Sequence, residues 1–243
     1  MIYTKEEFLK KLNARAADAH LSRFCTPQIA ERLYTVTVCL DEAPLNLTAI
    51  TAPEEVLTKH ILDSLFAAAF LADLPETATL LDVGSGGGFP ALPIAAALQS
   101  LSVTALDSTG KKVAYIAETA KRMGAANVHT VCARAEDAAR TELREQFDAV
   151  SARAVARLPQ LLEYCVPFLR PGGIFLAMKG DTAETETRDA ASAAKALSCT
   201  LEQTVPYSLP GSADQRFLLI YRKISSTSAT YPRNPAQIKK KPL

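Results

Sequence analysis

The chain has 243 residues, 48% of them hydrophobic, and its 27 basic and 26 acidic side chains give a formal charge of +1. That length suffices to bury one substantial α/β core with a smaller appended element, and the charge balance excludes the global basic field of a general nucleic-acid binder. The five cysteines (Cys25, Cys39, Cys132, Cys165 and Cys199) form no Cys-x-x-Cys pair, and His20, His60 and His129 are dispersed; this excludes a disulfide framework, a metal site and a serine triad, and fits a reducing cytoplasm.

The opening MIYTKEEFLKKL mixes acids and bases and reads as a surface helix, not a signal peptide. Residues 1–75 form a helical extension, with Phe8, Leu9 and Leu12, then Ile29, Leu33 and Val36, at helical spacing. The periodicity fails around residues 43–48, and Pro53 opens a helix that runs to about Leu71. The apolar run from Leu65 to Ala72 is too short to span a bilayer, so no membrane association is expected.

From Thr79 the pattern changes to short apolar runs alternating with helices, the signature of a parallel sheet. Strands are predicted at Thr79 to Val83, Ser102 to Leu106, Asn127 to Cys132, Phe147 to Ala152 and Gly173 to Lys179. Thr109 is a candidate cap for a helix whose apolar face carries Val113, Ile116, Ala117 and Ala120 and which stops at Gly124. An acidic, Ala-rich helix follows Lys179, and Leu201 to Tyr207 and Arg216 to Arg222 read as a hairpin. The expectation is a Rossmann-like α/β domain over 76–224: a mostly parallel seven-stranded sheet with a C-terminal antiparallel hairpin strand. The basic tail, 225–243, is expected to be poorly ordered unless something holds it.

The chemistry concentrates after the first strand, in Asp82-Val83-Gly84-Ser85-Gly86-Gly87-Gly88-Phe89-Pro90. Glycines there let the chain turn sharply and approach a ligand, and the next helix offers free backbone N–H groups. A dinucleotide fingerprint places its third glycine at position 89, where Phe89 stands, which favours a methyl donor, S-adenosylmethionine, over NAD. Asp107 ends the second strand, where a carboxylate can accept two ribose hydroxyls; its alternative role is to cap the next helix. Arg134-Ala135-Glu136-Asp137 follows the third strand, either at an adenine edge or as a solvated turn. Arg153 lies just beyond the fourth, on the carboxyl edge where ligands of open α/β sheets bind.

The chain resembles the glucose-inhibited division protein B family over nearly its whole length. The resemblance rests on Asn46-Leu47-Thr48, Lys59-His60-Ile61-Leu62-Asp63-Ser64, the glycine loop, Leu106-Asp107-Ser108, Lys111-Lys112, Arg134-Ala135-Glu136, Ala152 to Leu158, Met178-Lys179-Gly180 and Tyr231-Pro232-Arg233. It implies a class I S-adenosylmethionine-dependent methyltransferase acting on guanine N7 of 16S ribosomal RNA, with the RNA or the small ribosomal subunit as partner. Donor contacts are then expected at Asp82, Gly84, Gly86, Gly88, Phe89, Asp107, Ala135, Glu136 and Arg153. One departure is Ala91, where members commonly carry glycine.

Guanine N7 carries a free lone pair, so its methylation needs positioning and no general base; no catalytic acid or base is assigned. Asn46, His60 and Asp63 are candidate substrate-side groups, each with a structural alternative: an Asx turn, a satisfied helix residue and an ion pair. Lys111, Lys112 and Arg157, with Lys121, Arg122, Arg222, Lys223, Arg233 and Lys239 to Lys241, are candidate RNA contacts. A cytoplasmic monomer is expected. The residues alone leave open a protein or small-molecule acceptor, an NAD enzyme, or a non-catalytic RNA-binding module.

Overall fold

A computed structural model describes residues 2–243. The N-terminal helices form where capping and apolar spacing coincide. In α1 (Lys5–Asp18), Thr4 and Glu7 make a reciprocal capping box, and Phe8, Leu12 and Ala16 fall on one buried face. Helix α2 (Pro27–Glu42) has Thr26 as its cap and Pro27 in its first turn, and it buries Ile29, Leu33 and Val36. The third stretch starts at a proline and runs unbroken through α3 (Pro53–Glu55), a π-helical segment (Val56–Leu62) and α4 (Asp63–Leu71). The π segment was not legible in the sequence; such turns often accompany functional sites.

The remaining elements are β1 (Thr79–Val83), α5 (Ala91–Ala97), β2 (Ser102–Asp107), α6 (Gly110–Arg122), β3 (Val128–Cys132), α7 (Ala135–Ala138), β4 (Phe147–Arg153), α8 (Leu158–Cys165), β5 (Leu169–Lys179), α9 (Ala183–Asp189), α10 (Ala191–Ala196), β6 (Cys199–Ser208), β7 (Gln215–Lys223) and α11 (Pro235–Lys240). The seven strands pair in the order β3-β2-β1-β4-β5-β7-β6. The pairs from β3 to β5 are parallel, and β7 is antiparallel to both β5 and β6. Strand order reverses between β1 and β4, so their carboxyl ends flank the crevice where open α/β sheets bind ligands.

Alternation along the strands divides the interior. Leu80, Val103, Ala105, Ala149 and Leu176 pack with the N-terminal helices on one face, while Leu81, Leu106, Val150, Phe175 and Tyr221 form a second core with α8 to α10 on the other. Ala91 is fully buried at the start of α5, so its extra methyl is accommodated by core packing. No helix among the described residues is long and apolar enough to cross a membrane.

Three expectations change. Thr109 makes no side-chain cap; its backbone N–H donates instead to Asp107 Oδ1 at 2.9 Å. The helix after Lys179 is divided at Ala190 into α9 and α10. The tail is held: Arg144 donates to the carbonyls of Thr227, Ser228 and Tyr231, Arg140 to that of Pro232, and Glu163 grips Arg233. Asn234 then caps α11, whose Ile238 is buried.

Candidate functional site

The glycine loop leaves β1 by turning back on β2. The N–H groups of Gly84 and Ser85 both donate to the Leu106 carbonyl, at 2.8 and 3.0 Å, and Gly88 N–H donates to Ser85 O at 2.7 Å. Two glycines are sterically required. Gly84 has φ +74°, and a Cβ there would lie 2.6 Å from a Val155 methyl; Gly88 has φ +86°, and a Cβ would lie 2.3 Å from Leu92 Cδ1. The loop is also tied to the next strand, because Gly86 N–H donates to Asp107 Oδ2 at 3.0 Å.

Two adjoining clefts open along this edge. The first, of about 280 Å³, is lined by Val83, Gly84, Leu106, Asp107, Ser108, Ala135, Glu136 and Tyr164 among others. The second, of about 430 Å³, is lined by Leu47, Thr48, His60, the glycine loop with Phe89, Asp107, Lys112 and Arg153. Gly84, Asp107, Ser108 and Val155 belong to both, so Asp107 stands where they meet. Its two oxygens each accept one backbone N–H. A carboxylate has about four acceptor positions, so capacity for two hydroxyls remains.

The wall of the second cleft is a hydrogen-bonded stack. His60 lies flat on Phe89, ring centroids 4.4 Å apart and 15° from parallel, and the Arg153 guanidinium sits 5.8 Å from the Phe89 centroid. Arg153 Nη1 donates to the Lys59 carbonyl and to Asp63 Oδ2, both at 2.7 Å, and Nη2 donates to His60 Nδ1 at 3.0 Å. An Nδ1 that accepts places the ring proton on Nε2, which donates to Thr48 Oγ1 at 2.9 Å. Burial, reinforced by Arg153, pushes the His60 pKa down to about 3. The imidazole is therefore neutral with both nitrogens engaged.

Glu136 is buried at the start of α7 and accepts from Arg134 Nε at 3.2 Å. Asp82 does not line either cleft. It is buried beneath the glycine loop, where Oδ1 accepts the Ser151 hydroxyl at 2.8 Å and Oδ2 has no hydrogen-bond partner. Burial raises its pKa to about 6, against smaller opposing effects from Ser85, Ser151 and Arg153. Because the folded value exceeds the unfolded one, the folded protein holds the extra proton between pH 3.8 and about 6, and stability falls as pH rises through that window. The interval corresponds to roughly 3 kcal/mol. Asp82→Asn should lack this decline, so chemical denaturation at pH 4 and pH 8 should show the variant gaining on the parent at the higher pH. A constant difference would refute the assignment.

The other expected residues divide between the cleft and the rest of the molecule. His60 and Asp63, expected on the substrate side, are buried, and Asp63, at 0% exposure, has its oxygens engaged by Arg153 and Tyr207. Asn46 lines a separate cavity of about 240 Å³ between α1, α2 and the loop that follows α2; Leu47 and Thr48 line both this cavity and the second cleft. Arg157 pairs with Asp189, Arg122 with Glu42, Arg222 with Glu202, Lys223 with Glu145 and Arg233 with Glu163, so these five cations are engaged within the molecule. Among the described residues Lys111 and Lys112 form no ion pair, and Lys112 lines the second cleft. Sequence reasoning missed Thr48 as a wall residue, and Ser151 and Tyr207 altogether. No group of three or more His, Cys, Asp or Glu among the described residues could hold a metal.

The sheet order, the antiparallel β7 and the cleft beyond β1 and β4 define the class: Rossmann-like, S-adenosylmethionine-dependent methyltransferases. Solved structures share the fold. M. jannaschii TYW2 in complex with AdoMet is 17% identical, with TM-score 0.51 over 67% of this chain and 77% of that one. A SAM-dependent methyltransferase from Aquifex aeolicus is 16% identical, with TM-score 0.52 over 69% and 93%.

Sequence relatives narrow the class to one family. The model of the GidB family, rRNA small subunit methyltransferase G, matches residues 30–218. Proteins named ribosomal RNA small subunit methyltransferase G are 41% identical in Clostridium perfringens (strain 13 / Type A), over 82% of this chain and 83% of that protein, and 36% identical in Lactobacillus acidophilus, over 98% of both. The chain belongs to this family.

Proposed function

We propose that the protein transfers a methyl group from S-adenosylmethionine to N7 of a guanine in small-subunit ribosomal RNA, acting as a cytoplasmic monomer on that RNA or on the subunit that contains it. The observation that carries the reading is the pair of clefts meeting at Asp107. Their lengthwise arrangement suits a ligand with an adenosine end beside Ala135 and Glu136, a ribose at Asp107, and an amino-acid end along Gly84, Phe89 and Arg153. The donor, when bound, supplies an electrophilic sulfonium methyl.

The residues around that position orient and shield; they do not abstract protons. His60, the one imidazole in the cleft, is neutral but engaged at both nitrogens, which suits a nucleophile with a free lone pair. Lys111 and Lys112, free of ion pairs at the start of α6, are the cations best placed to meet RNA phosphates. Membership of a family named for small-subunit rRNA methylation supports the acceptor.

Mapping N7-methylguanine in ribosomal RNA from cells with and without the protein should reveal one modified position that disappears; unchanged sites would refute the acceptor. Asp107→Ala removes two charge-assisted bonds to the ribose, and calorimetric titration should show donor affinity falling at least tenfold. Undiminished affinity would remove Asp107 from the ribose site.

A further inference from the structure

We propose that Tyr207 is a positioning residue of the donor cleft, acting through Asp63 on Arg153 and, through His60 and Thr48, on the loop between α2 and α3. The proposal rests on the reading of that cleft as the donor site. Tyr207 lies near the end of β6, 144 residues from Asp63, and its ring packs against Phe66 with centroids 4.5 Å apart. Its hydroxyl donates to Asp63 Oδ1 at 2.7 Å, while Asp63 Oδ2 accepts from Arg153 at 2.7 Å.

A carboxylate held at one oxygen can turn about its Cβ–Cγ bond; held at both, its plane is fixed. That plane sets the approach of the Arg153 guanidinium, which carries the other contacts to Lys59 O and His60 Nδ1. Burial and the neighbouring Asp63 charge push the Tyr207 phenol pKa far up, so the hydroxyl remains a donor. From His60 the chain of bonds continues to Thr48 Oγ1, which also accepts the Ile50 N–H at 3.0 Å. Thr48 faces the donor cleft on one side and the 240 Å³ cavity on the other. One connected set of bonds thus joins the β6–β7 hairpin, the π-helical segment, the end of β4 and the loop that walls the cleft. Such a network makes the placement of Arg153 and the order of that loop a single property.

Tyr207→Phe keeps the ring against Phe66 and deletes only the donor. Titration of the folded protein with S-adenosylmethionine, well below its melting temperature, should show Kd rising roughly tenfold, while kcat at saturating donor stays within about twofold. A lowered melting temperature with unchanged Kd would mean a merely structural tyrosine and overturn the proposal. Thr48→Val tests the far end: combined with Tyr207→Phe, it should raise Kd by less than the product of the single effects, because both variants loosen the same network. Strictly multiplicative effects would overturn the link through His60. If the parent protein binds no donor at all, it is the cleft reading that fails.

Discussion

Replacing Arg153 with alanine is expected to cost about 3–5 kcal/mol of folding stability, measured by urea or guanidinium denaturation. The reason lies with its partner. Asp63 has no solvent exposure, and without the guanidinium it keeps one hydrogen bond, from Tyr207. Breaking a buried pair from one side leaves an uncompensated charge, which is far costlier than the pair was worth. Exposed pairs give the contrast: Arg157 and Asp189, with side chains 69% and 49% exposed, should contribute no more than about 1 kcal/mol. Arg153→Lys should not rescue, because one ammonium cannot reproduce a fork that meets Lys59 O, Asp63 and His60 together. A loss below about 1 kcal/mol would show that Asp63 is not charged or not isolated as described.

Arg233→Ala should be comparably severe, again about 3–5 kcal/mol. Glu163 is fully buried on α8 and receives the Arg233 side chain at 2.7 to 3.2 Å, as well as the Arg233 backbone N–H at 2.7 Å. The variant retains the backbone donor but strands the charge. The consequence is local as well as global: the segment around Tyr231 and Leu243, which packs against the second core, should become open to proteases before the rest of the chain. Limited digestion should therefore cut within residues 225–243 of the variant while sparing the parent. A variant as resistant as the parent would show that Arg144 and Arg140 hold the tail without it.

Much of the frame was legible because it is written in local pattern. The strands from Thr79 to Lys179 alternate with helices at short range, and the glycines at 84, 86 and 88 sit where backbone geometry admits little else. Asp107 was visible as an acid at a strand end; in the structure it accepts the Gly86 and Thr109 N–H groups and lines both clefts, with acceptor capacity left over. What escaped depends on distant pairings. Nothing in the sequence around Tyr207 announces Asp63, and His60 lies buried in a π-helical segment that no periodicity signals. The basic residues misled for a related reason. A lysine in a sequence has no visible partner, so Lys223, which is fully buried against Glu145 and the carbonyls of Val166 and Leu169, looked like a surface charge. The tail looked loose because its anchors, Arg140, Arg144 and Glu163, lie more than 60 residues upstream.

The pairing of β2 with β3 sets Cys132 opposite Asp107, which lines both clefts. Cys132 is exposed, while burial pushes the thiols of Cys25 and Cys199 up to about 11 and 12 and raises those of Cys39 and Cys165 as well. A thiol-reactive dye should therefore attach first at Cys132 in the unaltered protein. The fold has left a built-in handle beside the crevice, from which ligand arrival can be followed by fluorescence without engineering a single residue.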